Sequence, residues 1–348
     1  MSGGVDSSVT AALLLEQGYE VVGSHMKLVH LTMGGTDHGC CGPNARRDAE
    51  FVASQLGIDF HIHDVSERFE ETVIDDFFAE HAAGRTPNPC ARCNEHIKFG
   101  EFMKVADDLG CDAVATGHYA RKELRDDGWH LLKAADAAKD QSYVLHMLGQ
   151  GQLARAMFPL GGMTKDQTRR EARRFGFLEI AAKRDSQEVC FIPDDDHVGF
   201  IEEFVPKMVR EGEMVNASGS VVGTHSGAFR YTVGQRRGLG ISTGKPNYVL
   251  EIDQGANRVI VGPQELLSRK GLVADRLAWV AAEPPSGPFE AEARIRYKGE
   301  DAAAVIEVHG DTARVEFRVP QRAVAPGQSV VFYRGEEVLG GGRIVEAV

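Results

Sequence analysis

The sequence is short of cysteine, of long apolar runs and of positive charge, and each shortage excludes a class of protein. Six cysteines in 348 residues are too few for a disulfide-built scaffold; in a reducing compartment they bind metal, do chemistry or sit buried. No stretch approaches the roughly 18 uninterrupted apolar residues that a membrane-spanning helix needs. The early apolar run from Val9 to Leu15 is short and follows no basic segment, so it does not read as a secretory leader. A cytoplasmic protein with no membrane partner is expected. Lys and Arg total 39 against 51 Asp and Glu, a net charge of −12. That balance argues against sequence-blind nucleic-acid binding but leaves room for one basic face on an acidic body. Neither an internal repeat nor a low-complexity tract is present.

What is present is enough apolar residue, 43%, to bury ordinary cores, and length for two or three domains at about 150 residues each. The first half alternates helix and strand signals. Ser7 to Gln17 has helical spacing stopped by Gly18, and Tyr19 to Gly23 reads as a strand. Asn44 to Leu56 is a second helix closed by Gly57 before a strand at Ile58 to His63, and Ala113 to Thr116 is a short buried strand. Thr164 with Gln167 forms a capping box for a helix that stops near Gly176. The alternation predicts an α/β domain with a parallel sheet covered by helices. From about Glu213 the pattern changes to short β-rich runs: Tyr248–Ile252, Arg258–Val261, Ala291–Tyr297, Ala303–Val308, Ala313–Val319 and Ser329–Tyr333. Gly310-Asp311 and Gly335-Glu336 read as turns between them, so small β-barrels are expected. With loops at Pro193–Asp196 and Pro284–Pro288, the expected domains are 1–195, 196–270 and 271–348.

The most informative string is Ser2-Gly3-Gly4-Val5-Asp6-Ser7-Ser8, which opens directly into the first helix. Gly3 and Gly4 remove side chains where backbone must approach a phosphate, and the serine hydroxyls join the helix N-terminus in an anion site. No Lys-Ser/Thr ending follows, so this is not the Walker loop. A buried strand ordinarily precedes such a loop, and only Met1 does so here; an upstream extension supplying that strand is expected.

Cys90 and Cys93 lie in Arg85-Thr86-Pro87-Asn88-Pro89-Cys90-Ala91-Arg92-Cys93-Asn94, where two prolines suggest a rigid, extended approach to a loop tip. Cys190 follows Lys183-Arg184-Asp185-Ser186-Gln187-Glu188-Val189. Neighbouring cations favour the thiolate, the form that attacks sulfur, carries a persulfide or binds iron. Three readings stand side by side. One cysteine accepts sulfur as a persulfide and another resolves it by a disulfide bond; or Cys90, Cys93 and Cys190 hold three irons of a [4Fe–4S] cluster; or they form a zinc site with His96. Cys40 and Cys41, adjacent to each other, are poor joint ligands, and Cys111 reads as a buried thiol.

The SGGVDSS string resembles the pyrophosphate loop of the N-type ATP pyrophosphatases, which split ATP between the α and β phosphates. With ATGHYAR (115–121), KDQSYVL (139–145), FPLGGMTK (158–165), DSQEVCFIP (185–193) and YTVGQRRGLGI (231–241), the chain resembles the tRNA-specific 2-thiouridylases over its whole length. That resemblance implies adenylation of the position-2 oxygen of a wobble uridine and its replacement by sulfur. It implies ATP with Mg2+ bound by Ser2, Gly3, Gly4, Val5, Asp6, Ser7 and Ser8, with Met26 and Gly117 near the adenine. It implies Cys93 as nucleophile and Cys190 as persulfide carrier, supplied by a donor such as a cysteine desulfurase or sulfur-relay protein. It implies tRNA contacts at Asn88, Pro89, Cys90, His118, Lys139, Asp140, Gln141, Arg296, Tyr297 and Gln328. The family has Asp where this chain has Cys90, which removes a possible acid or base and adds a third thiol.

Other readings remain at this point. A related ATP pyrophosphatase of the amidotransferase-like synthetase kind needs no cysteine trio, and a binding module without turnover needs no pyrophosphate release. Arg169, Arg170, Arg173 and Arg174 suit a solvated helical face as well as an RNA patch, while Arg236-Arg237 in a Gly-rich loop suits a phosphate contact better.

Overall fold

The computed structural model describes residues 1–29, 42–183, 185, 189–241, 244–281 and 283–348; Cys40, Cys41, Arg184 and Ser186–Glu188, all weighed above, lie outside them. The N-terminal part packs helices against short parallel strand pairs: Gly23–Lys27 beside Phe60–Asp64, and Val114–Ala115 beside Ala156–Met157. The first helix, Val5–Glu16, starts ahead of the expected Ser7 because extended Gly4 is its N-cap. Gly18 then takes φ +87° and the Tyr19 amide donates to the Leu14 carbonyl at 3.1 Å, a left-handed helix stop.

That stop corrects the strand expected at Tyr19–Gly23. An amide used to close a helix cannot enter a ladder, so pairing begins only at Gly23. The same cause delays the next strand. Pro43–Leu56 ends at Gly57, φ +67°, the Ile58 amide returns to Ala53 at 3.1 Å, and the strand starts at Phe60. The Thr164 box is present: Thr164 Oγ1 accepts from the Gln167 amide at 3.3 Å, and Gln167 Oε1 accepts from the Thr164 amide at 2.6 Å. It opens the helix Lys165–Arg174.

The β-rich half forms two sheets, and the strand expected at Ala291–Tyr297 runs instead over Phe289–Arg294. A four-stranded sheet runs Val221–His225, Gly212–Asn216, Arg258–Gly262, Tyr248–Asp253 in that spatial order. Beyond it Ser268–Trp279, Thr312–Arg322, Ala302–His309, Phe289–Arg294, Ser329–Arg334 and Glu337–Ala347 pair in sequence. The last pairs again with the first from Gly340 onward, so the barrel closes there and only the start of its last strand stays open as an edge.

The barrel is not an independent bead. The hairpin Arg121–Arg125/Gly128–Leu132 of the N-terminal part adds to its last strand, Leu132 opposite Glu337 and Leu131 opposite Val338. Leu131, Tyr143, Leu145 and Leu148 share one core with Val331, Tyr333 and Val338. Buried Glu80 holds Arg85 at 2.6 Å and also pairs with Arg343 of the barrel. A buried carboxylate needs such cationic partners to be tolerated at all. Among the described residues no helix is long and apolar enough to cross a membrane.

Candidate active site

The phosphate loop is built by its own small side chains. Ser7 Oγ and Ser8 Oγ donate to the Gly4 carbonyl at 3.1 and 3.0 Å, and the Ser2 amide donates to Ser7 Oγ at 3.1 Å. Gly3 sits at φ +67°, and a Cβ there would lie 2.1 Å from the Ala45 carbonyl oxygen. Only glycine fits both constraints. Gly117 leads from the strand Val114–Ala115 straight onto the loop, where a Cβ would meet Asp6 Cβ at 2.8 Å and the Ser7 nitrogen at 3.0 Å. Val5 is buried behind the loop. Met26 packs, half-buried, against the core that also contains Cys93.

Asp6 is the chemical centre of this loop. Its Oδ1 accepts from the Tyr119 hydroxyl at 2.8 Å, and both its oxygens lie 2.8 Å from Lys165 Nζ. Burial, then the Asp6 charge, pushes the Tyr119 phenol up, so it stays a neutral hydrogen-bonding group. Lys165 also contacts Asp185 Oδ1 at 3.0 Å, and Asp185 receives Lys139 at 2.5 Å and Arg169 at 2.7 Å. Burial alone would raise the Asp185 carboxyl, but its bonds to Lys139 and Lys165 outweigh that and hold it at about 2. Lys183 Nζ donates to the Gly3 carbonyl at 3.1 Å. Lys165 and Lys183 thus stand at the glycine-rich turn, Lys183 also paired with Asp48, while Asp185 brings Lys139 and Arg169 up beside Lys165, a concentration of cations suited to an anion site.

Sequence reasoning missed Lys165, Asp185, Tyr119 and Lys183 as members of this site. Lys165 carried one legible signal, a cation in the first turn of a capped helix, where the helix dipole disfavours it. Arg169 is no exposed RNA patch: it donates to the carbonyls of Ala181 and Lys183 at 2.6 and 2.8 Å. Arg174 is paired with Glu16 and Glu171.

The cysteine segment is not the expected loop tip. Asn88 Oδ1 caps the helix Pro89–Cys93 by accepting from the Ala91 amide at 3.2 Å, and the chain continues into a wide π-helical turn, Asn94–Glu101. Proline at the first helical position suits this, because its missing N–H would have had no partner there. Cys90 is therefore exposed and Cys93, one turn on, is 7% exposed. Cys190 is half-buried and packs against the same cluster as Cys93, with Phe69, Phe77, Ile97 and Phe191. The cluster residues that pack with Cys93 are apolar. Among the described residues no three His, Cys, Asp or Glu side chains are grouped so as to hold a metal ion.

The segments expected to face RNA divide into exposed and internal groups. Arg296 and Tyr297 are exposed. Partial enclosure of the exposed Tyr297 ring, then the charges of Asp140 and Cys90, raises its phenol. Pro89 is half-buried beside Cys90. Asn88 Nδ2 donates to Ser329 Oγ at 3.1 Å, and Gln328 Nε2 donates to the Thr86 and Pro87 carbonyls at 3.0 Å each. Lys139 is taken up by Asp185, and Gln141 Oε1 accepts from the Tyr119 amide at 2.9 Å. His118 and Asp140 point inward. His118 Nδ1 lies 2.8 Å from Thr116 Oγ1, and burial keeps the ring neutral. Asp140 accepts from the Ala134 and Ser142 amides, both at 3.1 Å, and from Arg294 at 3.0 Å.

A parallel-sheet domain whose glycine-rich loop opens a helix without the Walker ending, followed by two β-domains, is a HUP-type ATP-binding domain with β-barrel appendages. Family models agree: "tRNA methyl transferase HUP domain" matches residues 1–194, "tRNA methyl transferase PRC-barrel domain" 198–263 and "Aminomethyltransferase beta-barrel domain" 269–344. A "tRNA-specific 2-thiouridylase MnmA" of Geobacter metallireducens is 49% identical, covering 100% of this chain and 96% of that protein. Proteins of the same name from Geotalea uraniireducens and Heliobacterium modesticaldum are each 48% identical, covering 100% and 99% of this chain and 94% and 91% of theirs. The chain belongs to the tRNA-specific 2-thiouridylase MnmA family.

Proposed function

We propose that this protein is an ATP-dependent tRNA-uridine 2-sulfurtransferase working through a cysteine persulfide. The observation that carries the reading is the pairing of two features in one N-terminal domain: a phosphate loop gripped by Gly117 and Lys183, and Cys93 and Cys190 in one cluster. The proposed division of labour follows the domains 1–195 for catalysis, 196–270 as a central β-domain and 271–348 as a barrel that braces the cysteine helix.

ATP lies on the amides and hydroxyls of Ser2 to Ser8, with Met26 and Gly117 against the adenine. Asp6 is an oxygen donor suited to a hard cation, and Mg2+ bound there would neutralise phosphate charge. The uridine position-2 oxygen attacks the α-phosphorus, the α–β bridge breaks, and pyrophosphate leaves. The base now carries AMP as a leaving group. The terminal sulfur of a Cys190 persulfide attacks carbon 2 and expels AMP. The Cys93 thiolate then attacks Cys190 Sγ, which breaks the sulfur–sulfur bond and leaves one sulfur on the base. The product is 2-thiouridine, with a Cys93–Cys190 disulfide that a thiol reductant returns to two thiols. The apolar wall around Cys93 keeps water from hydrolysing the adenylated base.

Exposed Cys90, Arg296 and Tyr297 form the RNA-facing edge, with Asn88, Pro89 and Gln328 holding it in shape. Tyr297 can stack on an unpaired base and Arg296 can meet phosphate. His118, Lys139, Asp140 and Gln141 support that edge from within. The sulfur donor is a persulfide-bearing protein, and the setting is the cytoplasm.

The test is direct. Protein, tRNA, ATP, Mg2+ and a persulfide donor are incubated, the RNA is digested, and 2-thiouridine and pyrophosphate are measured. Both appear with the wild type, and Cys93→Ser yields no 2-thiouridine. An amidotransferase-like enzyme would keep its activity in that variant, and a binding module would release no pyrophosphate.

A further inference from the structure

The reaction above ends with Cys93 and Cys190 joined, and a reductant from solution has poor access to both. Cys93 is 7% exposed, and Cys190 is half-buried in the cluster of Phe69, Phe77, Ile97 and Phe191. Thiol–disulfide exchange needs a thiolate to reach a sulfur directly, so shielding slows it. Among the described residues Cys90 is the exposed cysteine, and the sulfur route leaves its thiol unused.

Cys90 and Cys93 are the ends of one Cys-x-x-Cys string, Cys90-Ala91-Arg92-Cys93, on the opening turn Pro89–Cys93 of a helix. The helix runs on without a break, because Asn94 and Phe102 keep right-handed helical backbone where it passes into Asn94–Glu101 and Phe102–Asp108. Residues three apart in a helix share a face. Helical rise and radius put their Cα atoms about 5 Å apart, inside the roughly 4.4–6.8 Å that a disulfide spans. Cys93 thus has two sulfur partners in prospect, Cys190 within the apolar cluster and Cys90 one turn toward the surface. A buried thiol between a half-buried one and an exposed one is the layout of a relay.

We propose that Cys90 is a third redox residue of the reaction, the exchange thiol through which the Cys93–Cys190 disulfide is reset. This rests on the persulfide reading above. The Cys90 thiolate attacks Cys93 Sγ; the Cys93–Cys190 bond breaks, a Cys90–Cys93 bond forms, and Cys190 leaves as thiolate. A thiol reductant then attacks exposed Cys90 Sγ, and Cys93 leaves as thiolate. A second reductant thiol clears the mixed disulfide from Cys90, so two thiols outside the protein end as one disulfide. The first exchange involves no net oxidation, and the buried pair remains the resting form until a reductant draws off the exposed one. Cys93 stays buried throughout. Cys90 lies on the proposed RNA-facing edge, so the reductant gains it once the thiolated RNA has left.

The experiment uses full-length protein with its disulfide formed by a single turnover in the wild type, and by diamide in both the wild type and Cys90→Ser. Freshly reduced glutathione is added to the RNA-free protein, samples are quenched in acid and alkylated, and peptide mass spectrometry locates each disulfide over time. In the wild type the first mixed disulfide with glutathione is expected on Cys90. In Cys90→Ser the Cys93–Cys190 disulfide should disappear at least about tenfold more slowly, because direct attack on a shielded bond replaces an intramolecular exchange. A merely structural Cys90 would leave glutathione first on Cys190 or Cys93. That result, or equal rates of loss in the two proteins, overturns the proposal. Should Cys90→Ser not fold, the position of the first mixed disulfide in the wild type decides alone. Wild type that turns over and afterwards holds no Cys93–Cys190 disulfide overturns the persulfide reading instead, and the diamide-oxidised wild type still decides for Cys90.

Discussion

Arg294 Nη1 lies 3.0 Å from Asp140 Oδ2, a barrel guanidinium locked onto a carboxylate of the N-terminal domain that is only 5% exposed. Asp301 holds the other side of Arg294 at 2.6 Å. Removing one partner of a buried pair strands the other charge, so Arg294→Ala should cost about 3 kcal/mol of stability. Chemical denaturation checks this, and a loss under about 1 kcal/mol would show that the Ser142 and Ala134 donors suffice alone.

Gly117→Ala tests the close approach of strand and phosphate loop. A methyl group 2.8 Å from Asp6 Cβ must push the loop aside, because the atoms it meets belong to the loop itself. ATP affinity is expected to fall at least about tenfold, at a stability cost of about 1–3 kcal/mol. Gly57→Ala is the matched control: it also adds a methyl, but one that meets nothing within 4 Å. It should lose stability through its φ of +67° and leave ATP binding intact.

Much of this was legible in the sequence, and what was not has a common cause. The loop Ser2–Ser8, the Thr164 box and the glycine helix stops are local, set by neighbours in the chain. The strand at Gly23 was misplaced because the amide of Tyr19 is used by the preceding helix. Lys165, Asp185 and Arg294 were missed because their partners lie far along the chain, which no short-range pattern encodes. The prolines of Thr86–Pro89 suggest extended chain and so place Cys93 on a loop. Pro89 instead starts a helix that turns Cys93 inward.

Gln328→Ala should separate bracing from chemistry. It removes the donor to the Thr86 and Pro87 carbonyls and loosens the helix that carries Cys93. ATP affinity should be unchanged, because Gln328 touches the cysteine segment rather than the phosphate loop. The 2-thiouridine yield should fall several-fold, with about 1 kcal/mol of stability lost. An unaltered yield would mean that the Asn88–Ser329 bond positions the helix by itself.

His81 gives the fold a pH dependence in mild acid. It is 7% exposed, edge-on to Phe77 with ring centroids 4.5 Å apart, and faces His197 at 6.5 Å. Burial first, then the charge of His197, pushes His81 down to about 4, against an opposing pull from Glu80. Below about pH 6.5 the unfolded chain takes up a proton that the folded chain refuses. Stability is therefore full above that pH and lost as pH falls toward about 4, at roughly 1 kcal/mol per unit. His81→Gln should flatten this slope between pH 6.5 and 4.5 in denaturant titrations; an identical slope would assign the dependence to other groups.

The central claim is that sulfur reaches the base from a persulfide on Cys190, released when Cys93 forms a disulfide with Cys190. Its most direct measurement is a single turnover with protein whose persulfide carries radioactive sulfur, mixed with tRNA, ATP and Mg2+ and no other sulfur source. The account predicts one labelled 2-thiouridine per pyrophosphate released and a Cys93–Cys190 disulfide in the spent protein. Thiolated RNA without label, or label transferred equally well after Cys93→Ser, would contradict it.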